Sequence, residues 1–273
     1  MLLLVACLLG ALIGSFLNVV IYRMPLMMEQ AWEDEIAAAQ DKEPIERARF
    51  NLIVPRSRCG NCGHMITALE NIPVISWIAL RGKCSACGTR ISARYPFVEI
   101  VTALLFFACA WAFGPTLQTG AAMAFCAVLV ALTGIDLDTQ LLPDQLTLPL
   151  LWLGLLLNIG GMFTRLPDAV IGAAAGYLVL WSVYWLFKLV TGREGMGYGD
   201  FKLLGALGAW FGWQAVPVLL LVSAVVGSVI GIAILVVQKK GRQTAIAFGP
   251  YLALAGLIAL FFGPQIQQLP LAL

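Results

Sequence analysis

Four aspartates stand where apolar stretches meet polar sequence: Asp136 and Asp138 in Thr133-Gly134-Ile135-Asp136-Leu137-Asp138, Asp144 after Pro143, and Asp200 in Gly197-Tyr198-Gly199-Asp200. An ionisable group in or beside a membrane span is costly, so each is a candidate functional group. Two carboxylates at one site can activate water, one as general base and the other as general acid, when their proton affinities differ. Asp136 closes one apolar stretch and Asp200 opens another. Opposite helix-end charges therefore act on the two, which gives the shared proton to Asp136 and the charge to Asp200 as a tendency of a coupled pair. Asp144, a first-turn acid behind a proline, reads as a marker of a helix start. Asp138 lies two residues past Asp136 and faces another side of a continuing helix, to bind a basic group or to do nothing. The glycines around Tyr198 allow close approach of a peptide backbone, although Gly-x-Gly alone is a weak signal.

A second chemistry lies in Cys59-Gly60-Asn61-Cys62-Gly63 and Cys84-Ser85-Ala86-Cys87-Gly88. Two C-x-x-C pairs at this separation match a four-thiolate zinc site, each pair a knuckle whose following glycine permits the tight turn. The competing reading is disulfides or inert thiols, which a reducing compartment disfavours. Four thiolates leave no open coordination position, so a zinc ion at Cys59, Cys62, Cys84 and Cys87 is expected to be structural, a staple for a loop too small to build its own core. Arg56, Arg58, Arg81, Lys83, Arg90 and Arg94 surround it in sequence, able to offset the dianionic complex or to face lipid headgroups. His64, the one histidine, is expected at the surface and off the metal. Cys7, Cys109 and Cys126 fall in apolar stretches and read as small core residues.

The elements that must position these groups are membrane helices. Of 273 residues 60% are hydrophobic and 12% charged, against roughly 45–50% apolar usage in soluble domains. The apolar residues come in long blocks, near 2–22, 97–113, 120–137, 145–161, 169–190, 201–213, 215–237 and 245–263. A span needs about 20 residues, so the chain is expected to be an all-α polytopic membrane protein of about eight transmembrane helices, the sixth of them short. The first block lacks a basic stretch before it and has Arg23 after it, which favours a retained first helix over a cleaved signal. The net charge of +2 comes without a concentrated basic patch, so no nucleic-acid partner is expected.

Placing both termini outside puts Arg23 to Arg94, Lys188, Arg193, Lys202, Lys239, Lys240 and Arg242 on the cytosolic side, with only Arg165 opposite, as the positive-inside rule requires. That assigns residues 1–23 to a first transmembrane helix, 24–95 to a small cytosolic domain stapled by zinc, and 96–273 to a membrane-embedded domain. The acids Glu29, Glu33, Asp34, Glu35, Asp41, Glu43 and Glu46 open the polar region, and residues 29–50 read as an amphipathic helix or a solvated excursion, plain surface in either case. No repeat of fixed period is evident.

These residues resemble the prepilin peptidases, the type IV leader peptidases among the Gly-x-Gly-Asp intramembrane aspartyl proteases. The resemblance rests on Gly14-Ser15-Phe16-Leu17-Asn18-Val19-Val20-Ile21-Tyr22-Arg23, both cysteine knuckles, Ser92-Ala93-Arg94-Tyr95-Pro96-Phe97-Val98-Glu99, Ile135-Asp136-Leu137-Asp138 with Leu142-Pro143-Asp144, and Gly195-Met196-Gly197-Tyr198-Gly199-Asp200-Phe201-Lys202-Leu203. It implies Asp136 and Asp200 as the catalytic pair, and prepilins and pseudopilins as substrates, cut after a glycine on the cytosolic side of the bacterial inner membrane. It also implies N-methylation of the new N-terminus with S-adenosylmethionine as donor, because the chain keeps the four cysteines that accompany bifunctional members. Membrane lipids are the other expected partner. No Rossmann Gly-x-Gly-x-x-Gly signature marks a donor pocket, so its residues stay unassigned. A transporter remains an alternative, since membrane acids also serve as proton relays, as does a non-enzymatic scaffold for pilus or secretion assembly.

Overall fold

The computed structural model describes residues 1–42, 47–193, 195–238 and 247–267. Glu43, Glu46, Lys239, Lys240 and Arg242, which entered the charge argument, lie outside the described residues. Among the described residues the regular structure is helical throughout, without strands: α1 (Leu2–Ala39), α2 (Ile75–Ala79), α3 (Arg94–Phe113), α4 (Leu117–Thr139), α5 (Asp144–Ile159), α6 (Leu166–Thr191), α7 (Tyr198–Phe211), α8 (Val216–Gln238) and α9 (Gly249–Gln267). Each of the eight apolar blocks is occupied by a helix. Among the described residues five stretches are long and apolar enough to cross a membrane: α1, α3, α4, α6 and Trp213–Ala233, while α5 and Gly249–Gly263 are shorter apolar helices. The chain divides into two compact units, Met1–Ala131 and Leu132–Leu273.

In the first unit α1 and α3 approach until their backbones nearly touch. The buried residues Ala6, Gly10, Gly14, Leu17 and Ile21 recur along one face of α1, the small-residue spacing by which membrane helices pack without a hydrophobic driving force. A Cβ on Gly10 would stand 2.7 Å from the Ala103 Cα, and one on Gly14 2.7 Å from the Glu99 Cα. Asn18 donates to the Tyr95 carbonyl at 3.1 Å. The first helix does not stop near residue 22 but continues to Ala39 through Pro25. An interior proline costs about 3 kcal/mol or more, which local propensity helps to offset, since Met24 to Ala39 is rich in Met, Ala and Glu. The acids Glu29 to Glu35 thus lie on the exposed polar end of a long helix, the helical one of the two readings. Cys109 and Cys126 are fully buried with sulfurs 3.7 Å apart, whereas Cys7 is only half-buried.

The second unit is built around α7. From Asp200 to Phe211 every residue but Lys202 is buried, so this 14-residue helix, roughly 21 Å long at 1.5 Å per residue, is sheathed by protein and does not depend on spanning lipid. Two glycines let α6 in: a Cβ on Gly208 would fall 2.1 Å from the Gly172 carbonyl oxygen, and one on Gly176 2.6 Å from that of Leu204. Trp210, fully buried, lies over bare Gly154 and donates its indole N–H to the Leu150 carbonyl at 2.8 Å. The last carbonyls of α7, on Ala209 and Trp210, are taken by the buried Asn158 amide at 2.9 and 3.1 Å. The Asn158 oxygen accepts in turn from the Phe163 and Thr164 amides. One side chain therefore satisfies groups that a helix end leaves orphaned, and Gly212 at φ 83° turns the chain away.

Candidate active site

Asp136 lies one turn before the end of α4, where Gln140 closes the helix through its N–H to the Asp136 carbonyl and takes a positive φ of 57°. Asp200 lies in the first turn of α7. They are 4% and 7% exposed, which sets them apart from exposed Asp138. Both acids are withdrawn from solvent, and their surroundings join at Leu142, which packs against the glycine before Asp200 and the glycine whose N–H holds Asp136.

Three backbone approaches create this neighbourhood. The Gly249 N–H, in the first turn of α9, donates to Asp136 Oδ2 at 2.9 Å, a use of the unpaired amides that every helix start presents. A Cβ on Gly249 would lie 2.7 Å from that oxygen and 3.0 Å from Leu142 Cδ2. A Cβ on Gly199 would lie 2.6 Å from Leu142 Cβ. Leu142 is thus a wedge touching both the glycine before Asp200 and the glycine that holds Asp136. The space that Gly199 leaves is filled by the Leu142 side chain. Tyr177, Tyr184, Tyr198 and Phe201 form a cluster of tilted and edge-on rings beside Asp200, with Tyr198 and Phe201 centroids 5.3 Å apart. Asp144, expected merely to mark a helix start, also receives Lys202 Nζ on both carboxylate oxygens at 2.6 and 2.7 Å.

In the first unit the four cysteines converge. The Sγ atoms of Cys59, Cys62, Cys84 and Cys87 all lie within 4.8 Å of one another, with Cys59 to Cys87 at 3.8 Å and Cys62 to Cys84 at 4.0 Å. Tetrahedral sulfurs at about 2.3 Å from one ion stand about 3.8 Å apart, so the cluster can hold a metal. The two knuckles share a design. Gly63 N–H bonds to the Cys59 carbonyl and Gly88 N–H to that of Cys84, each at 2.9 Å, and both glycines take left-handed φ, 72° and 71°. Contacts with Thr89, then with the Asn61 amide, hold the Cys87 thiol down to about 6, which favours the thiolate a metal needs. His64 stands outside the cluster and meets Glu70 at 3.2 Å. Glu70 ties the knuckles together, accepting from Ser85 of the second and from the Thr67 N–H at 2.8 Å.

Comparison with known proteins follows these two centres. The Bacterial Peptidase A24 N-terminal domain matches residues 8–113, and the Type IV leader peptidase family matches residues 123–232. A protein of Aeromonas hydrophila named prepilin leader peptidase/N-methyltransferase is 58% identical over 259 residues, covering 94% of this chain and 89% of its own. The chain belongs to the type IV leader peptidase family. Proteins of the same name from Stutzerimonas stutzeri and Pseudomonas aeruginosa are 57% and 55% identical, each covering 96% of this chain, and 91% and 90% of their own. No solved structure matches. Type IV leader peptidases are aspartic proteases, and with several spanning-length helices among its described residues this member is a multi-pass membrane protein.

Reading the sequence missed Gly249, Leu142 and the Lys202 partner of Asp144. Only a proline after Gly249, suited to a helix start, could have pointed to the first. It also missed buried Arg23, whose guanidinium donates to the Asn51 and Pro55 carbonyls at 2.8 and 2.6 Å and fastens the polar segment to α1.

Proposed function

We propose that this chain cleaves the leader from type IV prepilins and pseudopilins after glycine, with Asp136 and Asp200 as the catalytic pair. The observation that carries this is the burial of two carboxylates from distant parts of the chain in one neighbourhood of the second unit, where like charges together favour holding a single proton between them. In that state one carboxylate takes a proton from a water as its oxygen attacks the scissile carbonyl carbon. The other gives its proton to the carbonyl oxygen, and collapse of the tetrahedral intermediate moves a proton to the departing amide nitrogen as the C–N bond breaks. Burial keeps bulk water from competing and strengthens each electrostatic contact.

The cluster of Cys59, Cys62, Cys84 and Cys87 binds zinc as a closed structural site, supported by the sulfur spacing and by a donor set complete without substrate or water. Zinc there holds the two knuckles in one fold and takes no part in the cleavage. The name of the relatives supports a second activity, N-methylation of the newly exposed N-terminus from S-adenosylmethionine. The described residues hold no strand to carry a glycine-rich donor loop of the Rossmann kind. The charge distribution supports cytosolic placement of residues 24–95 and of both aspartates, with the termini periplasmic in the inner membrane.

The test is purified protein in detergent with a full-length prepilin, assayed as wild type and as Asp136→Asn and Asp200→Asn. Each variant should lose cleavage while keeping its zinc content. Normal processing by either would remove the pair from the chemistry and return the scaffold and transporter readings to the front.

A further inference from the structure

Lys202 and Asp144 join two helix starts across 58 residues of chain, with both carboxylate oxygens engaged at 2.6 and 2.7 Å. Each partner is mounted on something stiff. Asp144 opens α5, whose first turn is braced by fully buried Thr147, donating through both its N–H and its hydroxyl to the Pro143 carbonyl. Lys202 belongs to α7, buried along nearly its whole length. Two residues apart on a helix means about 200° around its axis, so Asp200 faces inward at 7% exposed while the Lys202 side chain reaches outward at 28%.

We propose that the Lys202–Asp144 pair is a positioning clasp for the dyad, an inference that rests on Asp136 and Asp200 being the catalytic pair. Asp144 stands a short link beyond the end of α4, which carries Asp136, and Lys202 stands two residues beyond Asp200. The clasp fixes the outer end of that link, and Leu142 against Gly199 fixes its middle. Together they hold the end of α4 at one setting relative to the start of α7. A salt bridge this exposed contributes little to global stability, so its effect lies in alignment, where a displacement of about 1 Å can cost a hundredfold in rate. Neither residue touches substrate in this account.

A first-turn acid also suits a helix start by itself, and the test separates the two roles. Asp144→Asn and Lys202→Met are assayed on a full-length prepilin in detergent, beside the exchanged variant Asp144→Lys with Lys202→Asp. The clasp predicts that each single change lowers kcat about tenfold or more, leaves KM within about twofold, and that the exchange restores most of the loss. A helix-start role predicts that the exchange, which puts a cation at the positive end of α5, is worse than either single change. That result overturns the clasp, as does a loss confined to KM, which would make Lys202 a substrate contact. A second readout does not depend on how well the variants fold. Raising salt from about 0.05 to 0.5 M screens a half-exposed pair and should lower kcat of the wild type but not of Lys202→Met; parallel salt curves overturn the proposal. Asp136→Asn and Asp200→Asn run alongside. If they still cleave, the dyad itself fails, whereas if they are dead and the pair variants are fully active, the clasp alone fails.

Discussion

The backbone N–H of Gly249 donates to Oδ2 of Asp136 across 113 residues of sequence, at 2.9 Å and away from solvent. The first turn of α9 thereby orients an acid carried by α4. A side chain at 249 cannot coexist with this contact, since its Cβ would stand 2.7 Å from the same oxygen. Gly249→Ala is expected to cut prepilin cleavage about a hundredfold while zinc content and detergent-solubilised yield stay near wild type. Activity within a fewfold of wild type would show that the amide does not orient Asp136.

The wedge at Leu142 gives a graded version of the same experiment. Leu142→Ala removes the side chain that separates Gly199 from Gly249 and, since Leu142 is only half-buried, should cost less than the about 2–5 kcal/mol of such changes in packed interiors. Leu142→Met, near in volume, should cost under about 1.5 kcal/mol. Thermal unfolding and cleavage rate measured on both variants should fall in that order.

The contact between α6 and α7 is closer still. Gly208→Ala would drive a methyl to 2.1 Å from the Gly172 carbonyl oxygen, backbone that cannot step aside. Overpacking of this kind costs about 1–3 kcal/mol, occasionally more. The variant should show a lowered unfolding temperature together with lowered activity, because α7 carries Asp200 at its other end.

Zinc removal should separate the two centres. Chelation, or Cys62→Ser, is expected to raise hydrogen exchange and protease sensitivity across residues 57–91, since metal binding and folding of such a small unit are one event. Whatever cleavage remains should still be abolished by Asp136→Asn. A residual activity that instead requires added zinc and ignores Asp136→Asn would move the catalysis to the metal.

Glu70 supplies a pH dependence with a definite sign. The Ser85 hydroxyl, then the Thr67 amide and hydroxyl, hold its carboxyl down to about 2 from an ordinary value of 4.5. A folded value below the unfolded one means that its contribution is complete above about pH 4.5 and is lost as pH falls towards 2. Glu70→Gln should therefore weaken exchange protection of the Thr67 and knuckle amides at pH 5, and the difference from wild type should shrink on further acidification. A difference that grows instead would contradict the assignment.

Composition and spacing settled what is local. Apolar blocks announce helices because lipid leaves the backbone no other way to satisfy its hydrogen bonds, and every block of the sequence became one. The cysteine spacing announced a ligand set because a knuckle closes within five residues. Asp136 and Asp200 stood out because so few charges sit at the edges of apolar sequence. The continuation of α1 past Pro25 was hidden, since a proline after an apolar block reads as a stop and only summed propensity argues otherwise. Tertiary structure alone decided which groups meet: Gly249 on Asp136, Leu142 between two glycines, Lys202 on Asp144, and Asn158 on the end of α7. Those contacts join segments dozens of residues apart through bare backbone and single side chains, and such pairings leave no period or motif in the sequence from which to read them.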